Sequence, residues 1–264
     1  MRSPNEHTLY VRELEGELVI VSLYVDDLLI TGSISSQLDE FKKVMHSEFK
    51  MSDLGEMPYF LGMEINQASC RIFVNQRKYA NEVLKKFGMD KCKPVDTPLV
   101  ANQKLSKEDG VVRIDEGLYR SLIGCLLYLT ATKLDLMYAT SLLSRFMSNP
   151  SEIHLRVAKR VVRYIKGIPE FGVWFKRFED FQLVRYSDSD WAGSIDDIRS
   201  TSDYMFFLDS GAACWLSKKK RYNRSVHSKS RIHLYCCCHE PGHLAKKIFR
   251  RFEAKTEESY CDSM

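Results

Sequence analysis

The sequence predicts an α+β fold. Antiparallel strands with helices come first, a run of helices follows, and strands return towards the end. Three observations carry this. Two strand-like apolar runs, Leu18 to Val25 and Leu28 to Gly32, flank a pair of acids, Asp26 and Asp27. Apolar residues then recur at helical spacing in three consecutive segments between Tyr119 and Lys166. From Val173 the pattern reverts to short β-branched and aromatic runs separated by turn residues.

Each element follows in order. Thr8-Leu9-Tyr10-Val11 opens a hairpin, a Glu/Gly turn at 13–17 follows, and the next strand runs into Asp26 and Asp27. Ser35 or Ser36 is expected to cap a helix carrying Leu38, Phe41, Val44, Met45 and Phe49 on one side. Asp53-Leu54-Gly55 ends that unit. Tyr59 to Ile65 and Arg71 to Asn75 read as hairpin partners, and Lys78 to Phe87 as an amphipathic helix stopped by Gly88. Residues 90–113, with Pro94, Pro98 and alternating charges, read as a linker between domains. Tyr119 to Thr130 is apolar nearly all round and should be buried. Leu134 to Met147 and Ser151 to Lys166 complete the helical part. Strands are expected at Gly172–Phe175, Leu183–Tyr186, Tyr204–Leu208 and Ala212–Leu216, the last two joined by a turn at Asp209-Ser210-Gly211.

Composition sets the bounds. Hydrophobic residues make up 44% of the 264, which supports a sizeable core and argues against global disorder. A net charge of +4 permits a polyanionic partner without demanding one. No apolar run approaches the roughly 18 residues of a membrane span, so no membrane partner is expected. Met1 to Glu6 lacks the apolar stretch of a secretory signal, so the eight Cys read as reduced thiols in the cytoplasm or nucleus.

Local chemistry singles out a few residues. Core packing gives no reason for two adjacent acids between strands. Magnesium does, because it takes carboxylate oxygens together with substrate phosphates, and a pair of ions can hold both oxygens of a phosphoryl transfer. A plain acidic hairpin turn would use the same residues. The helix from Ser151 has polar positions His154, Arg156, Lys159, Arg160, Arg163 and Lys166, a basic face that is either solvated or in contact with phosphate. Asp188 sits at a strand end, where metal carboxylates are presented; it and Asp190 also read as loop acids.

In company these residues become specific. Leu23-Tyr24-Val25-Asp26-Asp27, Asp53-Leu54-Gly55 and Tyr59-Phe60-Leu61-Gly62-Met63-Glu64-Ile65 occur in an order that resembles the reverse transcriptase of copia-type retrotransposons. Tyr119-Arg120-Ser121-Leu122-Ile123-Gly124, Leu126-Leu127-Tyr128-Leu129-Thr130 and Ala158-Lys159-Arg160 continue the likeness. Tyr186 to Gly193, with Ser200-Thr201-Ser202, is similar to the opening of that family's ribonuclease H domain. The resemblance runs over about residues 4–220.

It implies a partial polymerase palm over 1–89, with an antiparallel sheet and helices. A linker over 90–117, a helical thumb or connection over 118–170 and an incomplete ribonuclease H-like mixed β-sheet over 171–220 would follow. It also implies magnesium as cofactor and an RNA/DNA template-primer or hybrid as partner. Asp26 would be the principal metal ligand of its motif, with Asp27 in support. Tyr24 and Val25 would lie beside the primer end, and Phe60, Leu61 and Gly62 would grip the primer backbone. Lys159, Arg160 and Arg163 would track phosphates. Asp188 would be the first metal carboxylate of ribonuclease H, and Asp262 a later one. Asp203 stands where the family's turn has Gly.

The resemblance implies two further acids: a palm Asp well upstream of Asp26, and a ribonuclease H Glu where Arg231 stands. Residues 221–264 read instead as an aberrant, poorly ordered tail. Synonymous codons for 221–247 can be chosen so that a one-base shift restores the family's segment, which points to a frameshift in the underlying DNA. Cys238 and His243 echo half a zinc knuckle, two ligands where tetrahedral zinc takes four, so zinc is not expected. The expected product is a fragment of an RNA-directed DNA polymerase and ribonuclease H, catalytically deficient alone. The alternative is a non-enzymatic nucleic-acid-binding remnant or an inactive pseudogene product.

Overall fold

The structure, a computed structural model, describes residues 1–220 apart from 4–5, 15–16, 177–182, 191–192 and 209–210. Met1–Gly55 belongs to one compact unit, and the described residues from Glu56 onward to a second.

In the first unit β1 (Leu9–Leu14), β2 (Glu17–Tyr24) and β3 (Asp27–Gly32) form an antiparallel meander. Val19 and Val21 are buried while their neighbours are less so, the alternation of a sheet covered on one face. Helix α1 (Ser35–Glu48) brings Leu38 against Gly32, where a Cβ would lie 2.9 Å from the Leu18 carbonyl and 3.1 Å from the Leu38 side chain. Neither Ser35 nor Ser36 caps this helix. Its N-cap is Ile34, without a side-chain bond. The serine just before, Ser33, accepts instead from the Leu18 N–H (3.1 Å), so its hydroxyl serves β2. Asp53 accepts from Gly55 N–H (2.9 Å) and pairs with Lys42 (2.9 Å), which makes Asp53-Leu54-Gly55 a turn tied back to α1. The Lys42 ammonium holds the Asp53 carboxyl below its usual range.

The second unit is built around helices. α2 (Arg77–Lys86), α3 (Glu116–Leu129), α4 (Met137–Ser144) and α5 (Glu152–Gly167) share one core, with Val83, Leu126, Leu143, Val161 and Ile165 at its centre. α3 buries Tyr119, Leu122, Ile123, Leu126 and Leu129 in this core but leaves Leu118, Leu127 and Tyr128 exposed, so it is not enclosed on all sides as its all-round apolarity predicts. The expected helix 134–147 is shorter, opening with a 3₁₀ turn at Leu134–Leu136 and ending at Ser144.

Two sheets flank the helices. β4 (Tyr59–Phe60), β5 (Met63–Ala68), β6 (Arg71–Asn75) and β7 (Gly172–Lys176) are ordered β4-β5-β6-β7. β8 (Leu183–Ser189), β9 (Thr201–Leu208) and β10 (Gly211–Lys219) form an antiparallel meander. Gly172–Lys176 therefore does not open the C-terminal sheet, as its position in the chain suggests. It pairs with β6, Phe73 opposite Trp174. Gly172 permits this, since a Cβ there would lie 2.3 Å from the Val74 carbonyl. Lys133 fixes the approach: its buried ammonium donates to the carbonyls of Ile168 (3.0 Å), Pro169 (3.3 Å) and Phe171 (2.8 Å), just past the end of α5.

Residues 90–115 are a strap along α5, inside the second unit, rather than a free linker, and 116–117 already belong to α3. Leu105 joins the helical core. Arg160 donates to Thr97 (3.0 Å), Arg163 to the Lys93 carbonyl (2.8 Å) and Lys166 to the Asp90 carbonyl. Among the described residues no helix is long and apolar enough to cross a membrane. Residues 221–264, with Arg231, Cys236 to Cys238, His243 and Asp262, lie outside the described residues.

Candidate functional site

The paired acids sit at the turn between β2 and β3 of the first unit. Tyr24 pairs with Asp27 across the ladder, leaving Val25 and Asp26 as a two-residue hairpin loop. Asp26 is thus in the turn, while Asp27 is the first residue of β3. Val25 has φ +56°, a left-handed backbone that a β-branched residue adopts only under strain of about 1–3 kcal/mol. Val25 is 82% exposed and both acids are exposed, so no packing of the Val25 side chain compensates. The turn holds two adjacent carboxylates towards solvent at fixed register. Among the described residues no third His, Cys, Asp or Glu joins them in a group that could hold a metal. Two carboxylates match part of a magnesium shell and fall short of a two-metal set.

The Phe60-Leu61-Gly62 hairpin lies in the second unit. Phe60 pairs with Met63, and Leu61 (φ +48°) and Gly62 (φ +72°) form a two-residue turn with both central residues left-handed, the type I′ pattern. Tyr128 of α3 locks it. Its hydroxyl donates to the Leu61 carbonyl, and a Gly62 Cβ would lie 3.0 Å from that hydroxyl and 3.1 Å from the ring. Tyr128 is itself placed by an edge-on contact with Tyr79 (4.9 Å) and by Gln76, which donates to its carbonyl (3.2 Å). Tyr128 lies within a family motif, yet nothing in its spacing announces this role.

The basic face of α5 divides. Arg160 and Arg163 spend hydrogen bonds on the strap, while Lys159 and Arg156 remain exposed. His154 does not belong to that face. It is fully buried, stacked on Phe146 (3.9 Å), with Nδ1 accepting from the Ser151 N–H (3.0 Å) and Nε2 facing the Ser106 carbonyl (3.1 Å). Those partners select the Nε2–H tautomer. Burial pushes its pKa down. Ser151 completes a capping box by accepting from the His154 N–H (3.4 Å), and its hydroxyl donates to Asp109 of the strap.

Asp188 lies near the end of β8, exposed, accepting from the Ser189 N–H (2.7 Å). Directly across the ladder stands Asp203. The sequence suggests a turn there; the residue is in fact inside β9, and two like charges face each other. Asp190 is a cap rather than a free acid, accepting from the Thr201 N–H. Arg145 donates to Thr201 (2.9 Å) nearby. Burial lowers its pKa, while Asp190 and Asp203 act in the opposite direction. Asp262 lies outside the described residues.

A family profile described as "Reverse transcriptase (RNA-dependent DNA polymerase)" matches residues 1–101. The Retrovirus-related Pol polyprotein from transposon RE1 of Arabidopsis thaliana is 36% identical over 221 residues, 84% of this chain and 15% of that protein. That from transposon TNT 1-94 of Nicotiana tabacum is 34% identical, covering 80% of this chain and 17% of that protein. An uncharacterized mitochondrial protein of Arabidopsis thaliana is 36% identical over 199 residues, 75% of this chain and 82% of the relative. The chain belongs to the copia-type reverse transcriptase family. It spans about one-sixth of the Pol polyproteins it matches, 15% of the RE1 protein and 17% of the TNT 1-94 protein. The reverse transcriptase profile takes in the Asp26-Asp27 turn, the Phe60-Leu61-Gly62 hairpin and α2. No solved structure matches significantly.

Proposed function

We propose that this reverse transcriptase segment binds a template-primer or RNA–DNA hybrid and does not turn it over by itself. Asp26, supported by Asp27, is the metal-facing pair of the polymerase. Tyr24 and Val25 border the primer end. The Leu61-Gly62 turn, locked by Tyr128, grips the primer backbone, and Lys159 contacts phosphate from α5. Residues 1–89 correspond to part of a palm and the helices of 118–170 to a thumb or connection. The meander β8–β10, with Asp188, corresponds to the start of a ribonuclease H domain. When bound, magnesium would supply charge neutralisation at the reacting phosphate; the described residues hold only part of its ligand set.

The observation that carries this reading is the two-residue turn that fixes Asp26 and Asp27 in a strained, exposed conformation inside the family-matched sheet. Primer extension and hybrid cleavage, with and without magnesium, test it on the purified chain. The expected result is salt-sensitive retention of hybrid without turnover. Magnesium-dependent synthesis abolished by Asp26→Ala, or hybrid cleavage abolished by Asp188→Ala, would overturn the inactive reading.

A further inference from the structure

The sheet β4–β7 carries one face whose chemistry the polymerase reading leaves unused. The ladder register puts Tyr59, Glu64, Asn66, Arg71, Phe73, Trp174 and Lys176 on one side. The Phe73 and Trp174 rings lie with centroids 4.4 Å apart, tilted by 30°. The Arg71 guanidinium lies over the Trp174 ring, 4.7 Å from its centroid. At the other edge the Lys78 ammonium lies over the Tyr59 ring at 5.2 Å. Two aromatic–cation pairs thus stand three strand spacings apart across the sheet and two residues apart along it, about 16 Å. Tyr59 and Trp174 stay 43% and 45% exposed, and Asn66 and Arg71 between them are exposed too. Glu64, the acid among these strand residues, already accepts from the Lys78 N–H (2.7 Å).

Exposed rings alone would suit many partners. Rings paired with cations along one sheet face suit one chemistry best. Every unpaired base offers a π-face to stack, and every phosphate needs a cation within reach. A duplex hides its base faces and could use only the cations. We propose that this face binds single-stranded nucleic acid, stacking bases on Trp174 and Tyr59 and holding the backbone with Arg71 and Lys78. The site needs no metal and does not involve Asp26 or Asp27, so it stands or falls separately from the polymerase reading.

Fluorescence anisotropy of the full chain with a short labelled oligothymidylate tests it, with a blunt duplex of equal length as comparator. Trp174→Ala should weaken single-strand binding about 5- to 150-fold, the loss expected for one stacked base. Trp174→Phe should keep most of the affinity. Arg71→Gln should make the slope of log affinity against log salt shallower by about 0.7. Duplex binding should change little in Trp174→Ala. If Trp174→Ala fails to fold by circular dichroism, Tyr59→Ala and Arg71→Gln, at exposed positions, decide. Wild-type affinity for oligothymidylate in the folded variants, or equal losses for single strand and duplex, would overturn the proposal. Loss of hybrid retention with single-strand binding intact would count against the template-primer reading alone.

Discussion

Lys133 offers a sharp test of how the second unit is held together. Its side chain is 1% exposed, and its ammonium donates to three carbonyls in the turn between α5 and β7. Burial pushes its pKa down from 10.5 to about 8, although Asp135 and Glu170 act in the opposite direction. At neutral pH the folded chain therefore carries a charge it would hold more cheaply unfolded. The unfolded lysine keeps its proton up to about pH 10.5, whereas the folded one loses it near 8. Across that window the unfolded state binds more protons, so folding stability rises with pH. The two pKa values give a gain of roughly 2 kcal/mol between about pH 7 and about pH 9.5, at about 1.4 kcal/mol per pKa unit. Lys133→Met removes the gain and orphans the carbonyls at about 1–3 kcal/mol each. Phe171 is 55% exposed, so in the variant solvation of its carbonyl should recover part of this cost, and the net loss near pH 9.5 should be about 2–4 kcal/mol. Urea unfolding followed by circular dichroism at both pH values, in wild type and variant, isolates the lysine because other groups cancel in the difference. A wild-type minus Lys133→Met difference that stays flat between the two pH values would refute a depressed, buried ammonium at this position.

Three other variants probe the remaining joints. His154 is buried neutral with a lowered pKa, so the unfolded chain takes its proton first; the stability it confers is present above about pH 6.5 and is lost on acidification. Thermal melts of His154→Phe should accordingly show a weaker decline below that pH than wild type. Val25→Gly relieves the left-handed strain, and the first unit should unfold at higher urea, a gain of up to about 1 kcal/mol; a loss would mean that Val25 is not strained as its φ of +56° indicates. Asp203→Asn removes the like charge opposite Asp188 and should stabilise the β8–β9 ladder by about 0.2–1 kcal/mol at low salt, an effect that shrinks as salt is added.

Much of this fold was legible because its signals are local. The runs flanking Asp26 and Asp27 are apolar, rich in β-branched and aromatic residues and of strand length, and both strands with the turn between them followed from that. The left-handed residue of the turn did not, since a β-branched Val at φ +56° contradicts the propensity on which turn rules rest. His154 reads as one more basic position on α5, yet the Ser151-x-x-His154 spacing is that of a capping box with His in the usual Glu place, so a signal existed. Prolines and charges made residues 90–117 look like a linker. What they could not show is that the basic side chains of α5 would satisfy that backbone in place of water.

The pairing of β7 is a different kind of miss. Gly172-Val173-Trp174-Phe175 reads correctly as a strand, but period two says nothing about which ladder a strand joins. The partner, β6, is far away in sequence, and the helical core intervenes. The choice is made by Lys133, which pins the chain as it leaves α5, and by Gly172, whose missing Cβ lets the strand close on Val74. This long-range choice is also what sets Trp174 beside Phe73 and under Arg71. The aromatic–basic face therefore has no motif of its own in the sequence. It comes from bringing together residues that, taken singly, look like ordinary strand positions. Lys133→Met should accordingly weaken oligothymidylate binding although Lys133 itself is buried and touches no ligand.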